Sequence, residues 1–285
     1  MTAFLFLAPG LALYLLIVIY PLLQGFSLST TNSKVGNPGK FIGAENYIDA
    51  FADPVVTGAL IRTVLYAVVV VIVQNGVGLW LARALYYRFR VRRMASILVL
   101  LPTLMSAVMA AFVWTYLYAP HGAINTMLRN VGLDSLTRVW LGDPSTSIWA
   151  IAVVNIWMFA GYSCAIFLAG YTGLPGELLD AARVDGASGW RKFANVEWPL
   201  LAPALTVNVT LSLIGSLKVF ELPLVMTSGG PAGSSTTLSL LIYQQTFGGQ
   251  GTFAYGTAIA IILLVVVVVL AAGTQTLLRR REDLI

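Results

Sequence analysis

Residues 253–277 read FAYGTAIAIILLVVVVVLAAGTQTL, a run without a single charged side chain. A helix of this length spans the roughly 30 Å of a bilayer's hydrocarbon core, because each residue adds about 1.5 Å along the axis. The apolar residues are continuous and do not alternate with polar ones, which favours a helix over a strand of a membrane barrel. The run therefore predicts a transmembrane helix.

Five further apolar runs precede this one along the chain. They cover residues 4–26, 56–85, 95–118, 147–171 and 200–226. No Lys or Arg precedes Lys34, whereas a secretory signal carries a positive leading region, so the first run is interpreted as a span. The sequence predicts an all-α integral membrane protein with six transmembrane helices in a single domain over residues 1–285.

The composition also indicates a membrane environment. The chain of 285 residues is 58% hydrophobic and 10% charged, against about 25% charged residues in an average soluble domain. The formal net charge is +5, but the basic residues lie in short clusters between apolar runs, which is typical of topology signals and not of nucleic-acid binding. The one cysteine, Cys164, and the one histidine, His121, predict neither a disulfide nor a metal site.

The basic residues are shared unequally between the two sets of loops that six spans would create. Eleven fall at the end of the second run, in the second and fourth loops and in the C-terminal tail: Arg83, Arg88, Arg90, Arg92, Arg93, Arg183, Arg191, Lys192, Arg279, Arg280 and Arg281. Five fall on the other side: Lys34, Lys40, Arg62, Arg129 and Arg138. Because positively charged loops stay in the cytoplasm, this pattern predicts that both termini are cytoplasmic.

No motif predicts an enzyme or an energy-coupling site on this chain. The phosphate-binding motif G-x-x-x-x-G-K-[ST] is missing from the sequence, and the apolar runs hold no Ser/His or His/Glu combination suited to an intramembrane enzyme. Glu221 is the one acidic residue clearly inside a run. Any active transport is therefore predicted to be driven by a separate partner. An ion-coupled carrier is the alternative, with Glu221 as its coupling carboxylate.

The fourth loop, residues 173–199, has an unusual sequence that reads PGELLDAARVDGASGWRKFANVEWP from Pro175 to Pro199. Pro175 predicts the start of a short amphipathic helix with Glu177 in its first turn, where the helix dipole favours a carboxylate. Gly186 and Gly189 end that helix and permit a tight turn, and Pro199 opens the fifth run. The pattern predicts a short helix at the cytosolic surface between the fourth and fifth spans, or else a plain amphipathic connector.

This loop resembles the signature of permease subunits of binding-protein-dependent ABC importers. That signature is E-A-A, three residues, Gly, nine residues, then I-x-L-P, and here Asp180-Ala181-Ala182, Gly186 and Pro199 stand at matching positions. The resemblance implies a coupling helix that docks on a cytosolic ATPase. The implied contacts are Glu177, Asp180, Ala181, Ala182, Asp185 and Gly186.

Three further stretches resemble the maltose-permease type, the carbohydrate branch of that family. They are FIGAENY at residues 41–47, WLGDP at 140–144 and KVFELPLVMTSGGP at 218–231. The resemblance implies a permease in a bacterial or archaeal inner membrane that forms a sugar pathway with a second permease. It also implies two ATP-binding subunits that use ATP and Mg, an external solute-binding protein, and no cofactor on this chain. A non-sugar solute such as glycerol phosphate is the alternative substrate.

Polar residues inside the fourth and fifth runs are candidates for substrate contact. Asn155 and Tyr162 lie seven apart and hence on one helix face, and alignment with the maltose-permease type implies sugar contacts at Asn155, Met158, Phe159, Tyr162, Gly215, Ser216 and Val219. The alternative is that such groups only bridge helices, at about 0.6–2 kcal/mol each.

Other residues in the runs are assigned structural roles. Lys218 and Glu221 are predicted to pair at i, i+3, and Gln74 and Asn75 to serve packing. Pro102 and Pro223 are predicted to kink their spans.

Overall fold

The computed structural model describes residues 2–34, 37, 39–87, 92–248 and 252–282, and every regular element within these ranges is helical. Helices occupy Thr2–Tyr14, Tyr20–Ser29, Glu45–Ala52, Pro54–Tyr87, Arg92–Leu100, Ala107–Leu117, Ala123–Asn130, Ser147–Thr172, Gly176–Val184, Gly189–Lys192, Trp198–Leu200, Ala202–Leu217, Glu221–Thr227, Leu238–Phe247 and Phe253–Glu282. The predicted all-α class is confirmed for this part of the chain. Arg88 and Arg90, assigned above to the cytosolic side, lie outside the described residues.

Four helices in the described ranges are each long and apolar enough to cross a membrane: Leu7–Ser29, Pro54–Tyr87, Ser147–Thr172 and Phe253–Arg280. Two bent pairs raise the number to six if each pair is one span. Residues 94–104 and 107–117 meet at 98°, and residues 189–200 and 202–217 meet at 72°. The structure thus has four to six candidate membrane helices, against the six that were predicted.

Proline chemistry accounts for the first bend. Pro102 lies in a tight 3₁₀ turn, Leu101–Leu104, and it has no N–H to continue the helix that ends at Leu100. Ser106 then caps the next helix, because its hydroxyl accepts a hydrogen bond from the Met109 amide at 3.2 Å. The kink predicted at Pro102 is confirmed.

The fifth run is interrupted twice, once just after Pro199 and once just before Pro223. Pro199 belongs to a short turn, Trp198–Leu200, and the long helix starts only at Ala202, with Pro203 in its first turn. That helix ends at Leu217 and a new one begins at Glu221. The second break lies within one turn before Pro223, where a proline ring clashes with the carbonyl four residues earlier, so the kink predicted at Pro223 is observed there.

The chain forms two compact units, residues 1–61 with 237–266 and residues 62–236 with 267–285. In the first unit, the buried Asn46 amide donates to the carbonyls of Ser29 and Thr31 at 2.7 and 2.8 Å. Asn46 lies in the FIGAENY stretch, so these bonds give that stretch a structural role: they close the end of the first membrane helix.

The core of the second unit lies where several membrane helices meet. Tyr66, Ala111, Ile151 and Leu222, from four different helices, are all buried in one apolar cluster. Gly161 allows a close approach nearby, because a methyl group there would overlap the Val99 carbonyl oxygen. Such contacts hold the helix Ser147–Thr172 rigidly, and this helix carries half of the predicted site.

Candidate functional site

A cavity of about 470 Å³ opens in the second unit beside the break at residues 218–220. The helices Ser147–Thr172 and Ala202–Leu217 form most of its wall. Its lining residues are Gln74, Thr103, Ala107, Asn155, Phe159, Tyr162, Asn208, Leu211, Ser212, Gly215, Ser216, Lys218, Val219, Glu221 and Leu222. Irregular backbone at membrane depth is tolerated where it is buried in protein or lines a cavity, and the break meets this condition.

The structure brings six of the predicted substrate residues together on this one cavity: Asn155, Phe159, Tyr162, Gly215, Ser216 and Val219. Phe159 and Tyr162 are 38% and 44% exposed, so both rings are open to a ligand. Met158 is different, because it is buried in the apolar core and is not part of the cavity lining. Sugar binding by the six residues stays a prediction.

Two of these residues also bond within the protein. The Asn155 amide donates to the Tyr66 hydroxyl at 2.8 Å, and the Ser216 hydroxyl donates to the Ser212 carbonyl at 2.7 Å. Both side chains are buried. Asn155 therefore bridges two helices, whereas the Ser216 bond stays within its own helix, and a substrate contact would be added to these roles.

Amide side chains tie the helices together beneath the cavity. Gln74 donates to the Ser163 hydroxyl at 2.9 Å, and Asn75 donates to the Ser212 hydroxyl at 2.8 Å. Their predicted packing role is confirmed. Asn208 donates to the Ser163 carbonyl at 2.9 Å and also lines the cavity. Sequence reasoning missed Asn208, although its i, i+4 spacing to Ser212 places both on one helix face.

The predicted pairing of Lys218 with Glu221 is wrong. The ion pairs formed by the described residues are Arg83–Glu197 and Arg183–Asp180. The i, i+3 rule holds only within a continuous helix, whereas Lys218 follows the end of one helix and Glu221 starts the next, with Phe220 at φ −135° and ψ −55° between them. Both charged residues line the cavity instead.

The fourth loop folds into the short helix that its sequence predicts. The helix Gly176–Val184 starts directly after Pro175 and carries Glu177 in its first turn. It ends where Gly186 adopts φ +72°, a backbone conformation that favours glycine. The Ala187 amide then donates to the Ala182 carbonyl at 2.9 Å and closes the turn.

The residues predicted to contact an ATPase do not all face outward. Glu177, Asp180, Ala181, Asp185 and Gly186 are exposed, so a partner could reach them. Ala182 is buried together with Leu179, on the face of the helix that packs against the chain itself. The place of Ala182 in the signature is therefore explained here by packing within the chain.

A buried carboxylate anchors the base of the same loop. Glu197 is fully buried and accepts hydrogen bonds from Arg83 Nε at 2.9 Å, the Tyr87 hydroxyl at 2.7 Å and the Tyr171 hydroxyl at 3.2 Å. Arg83 also donates to the Gly189 carbonyl at 3.1 Å. These bonds join the loop to the helices Pro54–Tyr87 and Ser147–Thr172. From the sequence, Arg83 is counted only among the basic residues that predict which loops are cytoplasmic.

Comparison with known proteins identifies the family. Residues 74–283 match the family described as the binding-protein-dependent transport system inner membrane component. The chain belongs to this family. The matched region contains both the cavity and the fourth loop, so the resemblance found in the sequence is confirmed, and the chain is a multi-pass inner-membrane permease subunit of an ABC importer.

Individual relatives cover nearly all of this permease. It is 35% identical to the probable ABC transporter permease protein YurN of Bacillus subtilis, over 91% of this chain and 89% of that protein. It is 30% identical to the trehalose/maltose transport system permease protein MalF of Thermococcus litoralis, over 91% and 87%. A bacterial ABC transporter that imports the acidic polysaccharide alginate contains a chain with the same fold, at TM-score 0.84 and 23% identity, covering 98% of this chain and 95% of that one.

Proposed function

We propose that this permease forms the membrane pathway of an ATP-driven sugar importer together with a second permease subunit. The cavity beside the helix break is the single observation that carries this proposal, because polar groups and open aromatic rings meet there inside a membrane protein. Such groups are costly at membrane depth and mark solute pathways. The trehalose/maltose permease among the relatives supports a sugar as the solute.

In this proposal six helices cross the membrane in one permease domain, and each bent pair counts as one span. Both termini are cytoplasmic, and so is the helix Gly176–Val184 between the fourth and fifth spans. Two ATPase subunits bind ATP and Mg beneath the membrane, so ATP hydrolysis does not occur on this chain. An external solute-binding protein delivers the sugar.

The helix Gly176–Val184 is assigned the coupling role. Its exposed face offers Glu177, Asp180 and Asp185 to an ATPase groove, while Leu179 and Ala182 fix the other face to the permease. The ion pair between the half-buried Arg83 and the buried Glu197 fixes the base of the loop to the second membrane helix. A displacement of the docked helix by the ATPases would therefore move membrane helices as rigid bodies.

The test is a transport assay on the complete complex. The permease is purified with its co-expressed partners, reconstituted in liposomes, and supplied with ATP and the loaded solute-binding protein. Uptake of trehalose or maltose that requires ATP would support the proposal. Uptake of glycerol phosphate but of no sugar would establish the alternative substrate class, and uptake driven by an ion gradient without ATP would overturn the importer assignment.

A further inference from the structure

Lys218 and Glu221 are the two charged residues among the fifteen that line the cavity. Both are exposed, and neither side chain has a hydrogen-bond or ion-pair partner among the described residues. They lie on either side of the break in the fifth membrane helix. Charged groups at such depth are rare, and they usually face a cavity or a partner.

The helix ends explain why these two charges are tolerated without pairing. Lys218 directly follows the C-terminal end of the helix Ala202–Leu217, where the helix dipole favours a cation. Glu221 begins the next helix, where the dipole favours an anion. Neither side chain is engaged by a described residue, so each is available to a molecule in the cavity.

The chemistry of this pair favours one class of molecule. An ammonium group offers three donors and a carboxylate offers only acceptors, whereas a sugar hydroxyl both donates and accepts. Adjacent hydroxyls of one sugar can therefore bond to both residues, and bonds to ionised groups are about twice as strong as neutral ones.

The charge balance of the cavity points the same way. One positive and one negative side chain line this wall, so its formal charge is zero. An acidic solute would be attracted by Lys218 and repelled by Glu221, so it would give up hydration of its own charge for no net attraction at this wall. An uncharged solute avoids that cost.

We propose that Lys218 and Glu221 are specificity-determining contacts for an uncharged, polyhydroxylated solute, a neutral glycoside or polyol. Phe159 and Tyr162 present their rings in the same cavity, where they would stack on a sugar face. This proposal rests on the proposed function and narrows it, because it selects neutral sugars over acidic ones.

The experiment measures uptake by the reconstituted complex with its solute-binding protein. The neutral probes are trehalose and maltose, and the acidic probe is an alginate oligosaccharide. Lys218→Gln and Glu221→Gln should each lower uptake of a neutral probe about tenfold, because each removes a charge-assisted bond. Lys218→Arg keeps the cation and should retain most of the uptake.

Two controls separate this effect from misfolding. Lys40→Gln and Glu45→Gln remove exposed charges that are not part of the cavity lining, and they should leave uptake unchanged. ATP hydrolysis stimulated by the loaded binding protein should persist in the Lys218 and Glu221 variants, because the complex still assembles.

Each outcome decides between the two proposals. Neutral uptake that is unaffected by Lys218→Gln and Glu221→Gln would overturn the specificity assignment and leave the sugar importer in place. Uptake of the alginate oligosaccharide, but of neither neutral probe, by the wild-type complex would also overturn the specificity assignment and leave the sugar importer in place. A complex that transports none of the three glycosides would overturn the proposed function, and the assignment of Lys218 and Glu221 with it.

Discussion

Gly161 and Gly215 lie on the two helices that form most of the cavity wall, and their surroundings are opposite. A methyl group at Gly161 would overlap the Val99 carbonyl oxygen, whereas a methyl group at Gly215 meets no atom within 4 Å. We expect Gly161→Ala to destabilise the permease by about 1–3 kcal/mol through overpacking, measured as a lower melting temperature of the purified complex. Gly215→Ala should have the same melting temperature as the wild type. Equal melting temperatures for the wild type, Gly161→Ala and Gly215→Ala would contradict this packing.

Asn155 belongs both to the cavity and to a hydrogen bond, and two variants separate these roles. Tyr66→Phe removes the 2.8 Å bond but keeps Asn155 in place, whereas Asn155→Ala removes the side chain altogether. If Asn155 contacts the sugar, Asn155→Ala should lower uptake about fivefold, because one lost neutral hydrogen bond to the sugar costs about 1 kcal/mol, and Tyr66→Phe should lower it less than twofold, because that contact is kept. Equal losses in the two variants, measured as initial uptake rates, would leave Asn155 with a structural role only.

At the residue scale, helical periodicity correctly predicted that Asn155 and Tyr162 share a face, but it wrongly predicted that Lys218 pairs with Glu221. Asn155 and Tyr162 share a face because the helix between them is continuous, so spacing alone brings both to one cavity. The same rule failed for Lys218 and Glu221, because the helix breaks between them, in the turn before Pro223. An i, i+3 spacing predicts a pair only where the helix is continuous across it.

At the scale of elements, the turn after the coupling helix depends on one backbone conformation. Gly186 has φ +72°, and a side chain there would meet open space, so a substitution acts through backbone strain alone. Gly186→Val should cost about 1–2 kcal/mol at this position and distort the loop. We expect ATP hydrolysis to continue while the sugar imported per ATP falls.

Gly186→Asn is the matched variant, because asparagine tolerates this conformation better than valine does. It should retain more of the uptake per ATP than Gly186→Val. Normal uptake by the valine variant would sink the assignment of this loop to coupling.

The anchor at Glu197 can be tested against an ion pair on the surface of the same loop. Glu197 is fully buried and holds three donors, while Arg183 and Asp180 are 62% and 68% exposed. Glu197→Gln should lower the free energy of unfolding by about 1–3 kcal/mol, because bonds to a buried charge are lost. Arg183→Gln should change it by less than about 0.5 kcal/mol. Equal melting temperatures for these two variants would contradict the anchor.

The fourth loop shows which structural features could be predicted from the sequence and which could not. Pro175 and Gly186 set the two ends of the coupling helix, because proline and glycine act on the local backbone alone. The Glu197 anchor could not be predicted, since Arg83 and Glu197 lie 114 positions apart. Contacts at that separation depend on how the membrane helices pack.

At the scale of the whole molecule, the number of crossings depends on the bent pair that begins near Met94. If residues 94–117 form one span, Met94 and Ser135 lie on opposite sides of the membrane, and if they form a re-entrant loop, both lie on the same side. The single cysteine, Cys164, is buried in the interior and can be replaced by alanine. Single cysteines at Met94, Ser135 and Ser188, which are all exposed, then report the side of each segment.

We expect an impermeant thiol reagent to label Ser135→Cys in intact cells and to label Met94→Cys and Ser188→Cys only after the membrane is opened. Positive charge supports this orientation, because Ser188 lies beside Arg191 and Lys192 in the fourth loop, and Met94 directly follows Arg92 and Arg93. Labelling of Met94→Cys together with Ser135→Cys in intact cells would make the bent pair a re-entrant loop. Labelling of Ser188→Cys and Met94→Cys but not of Ser135→Cys in intact cells would invert the permease and place its coupling helix outside, where no ATPase could reach it.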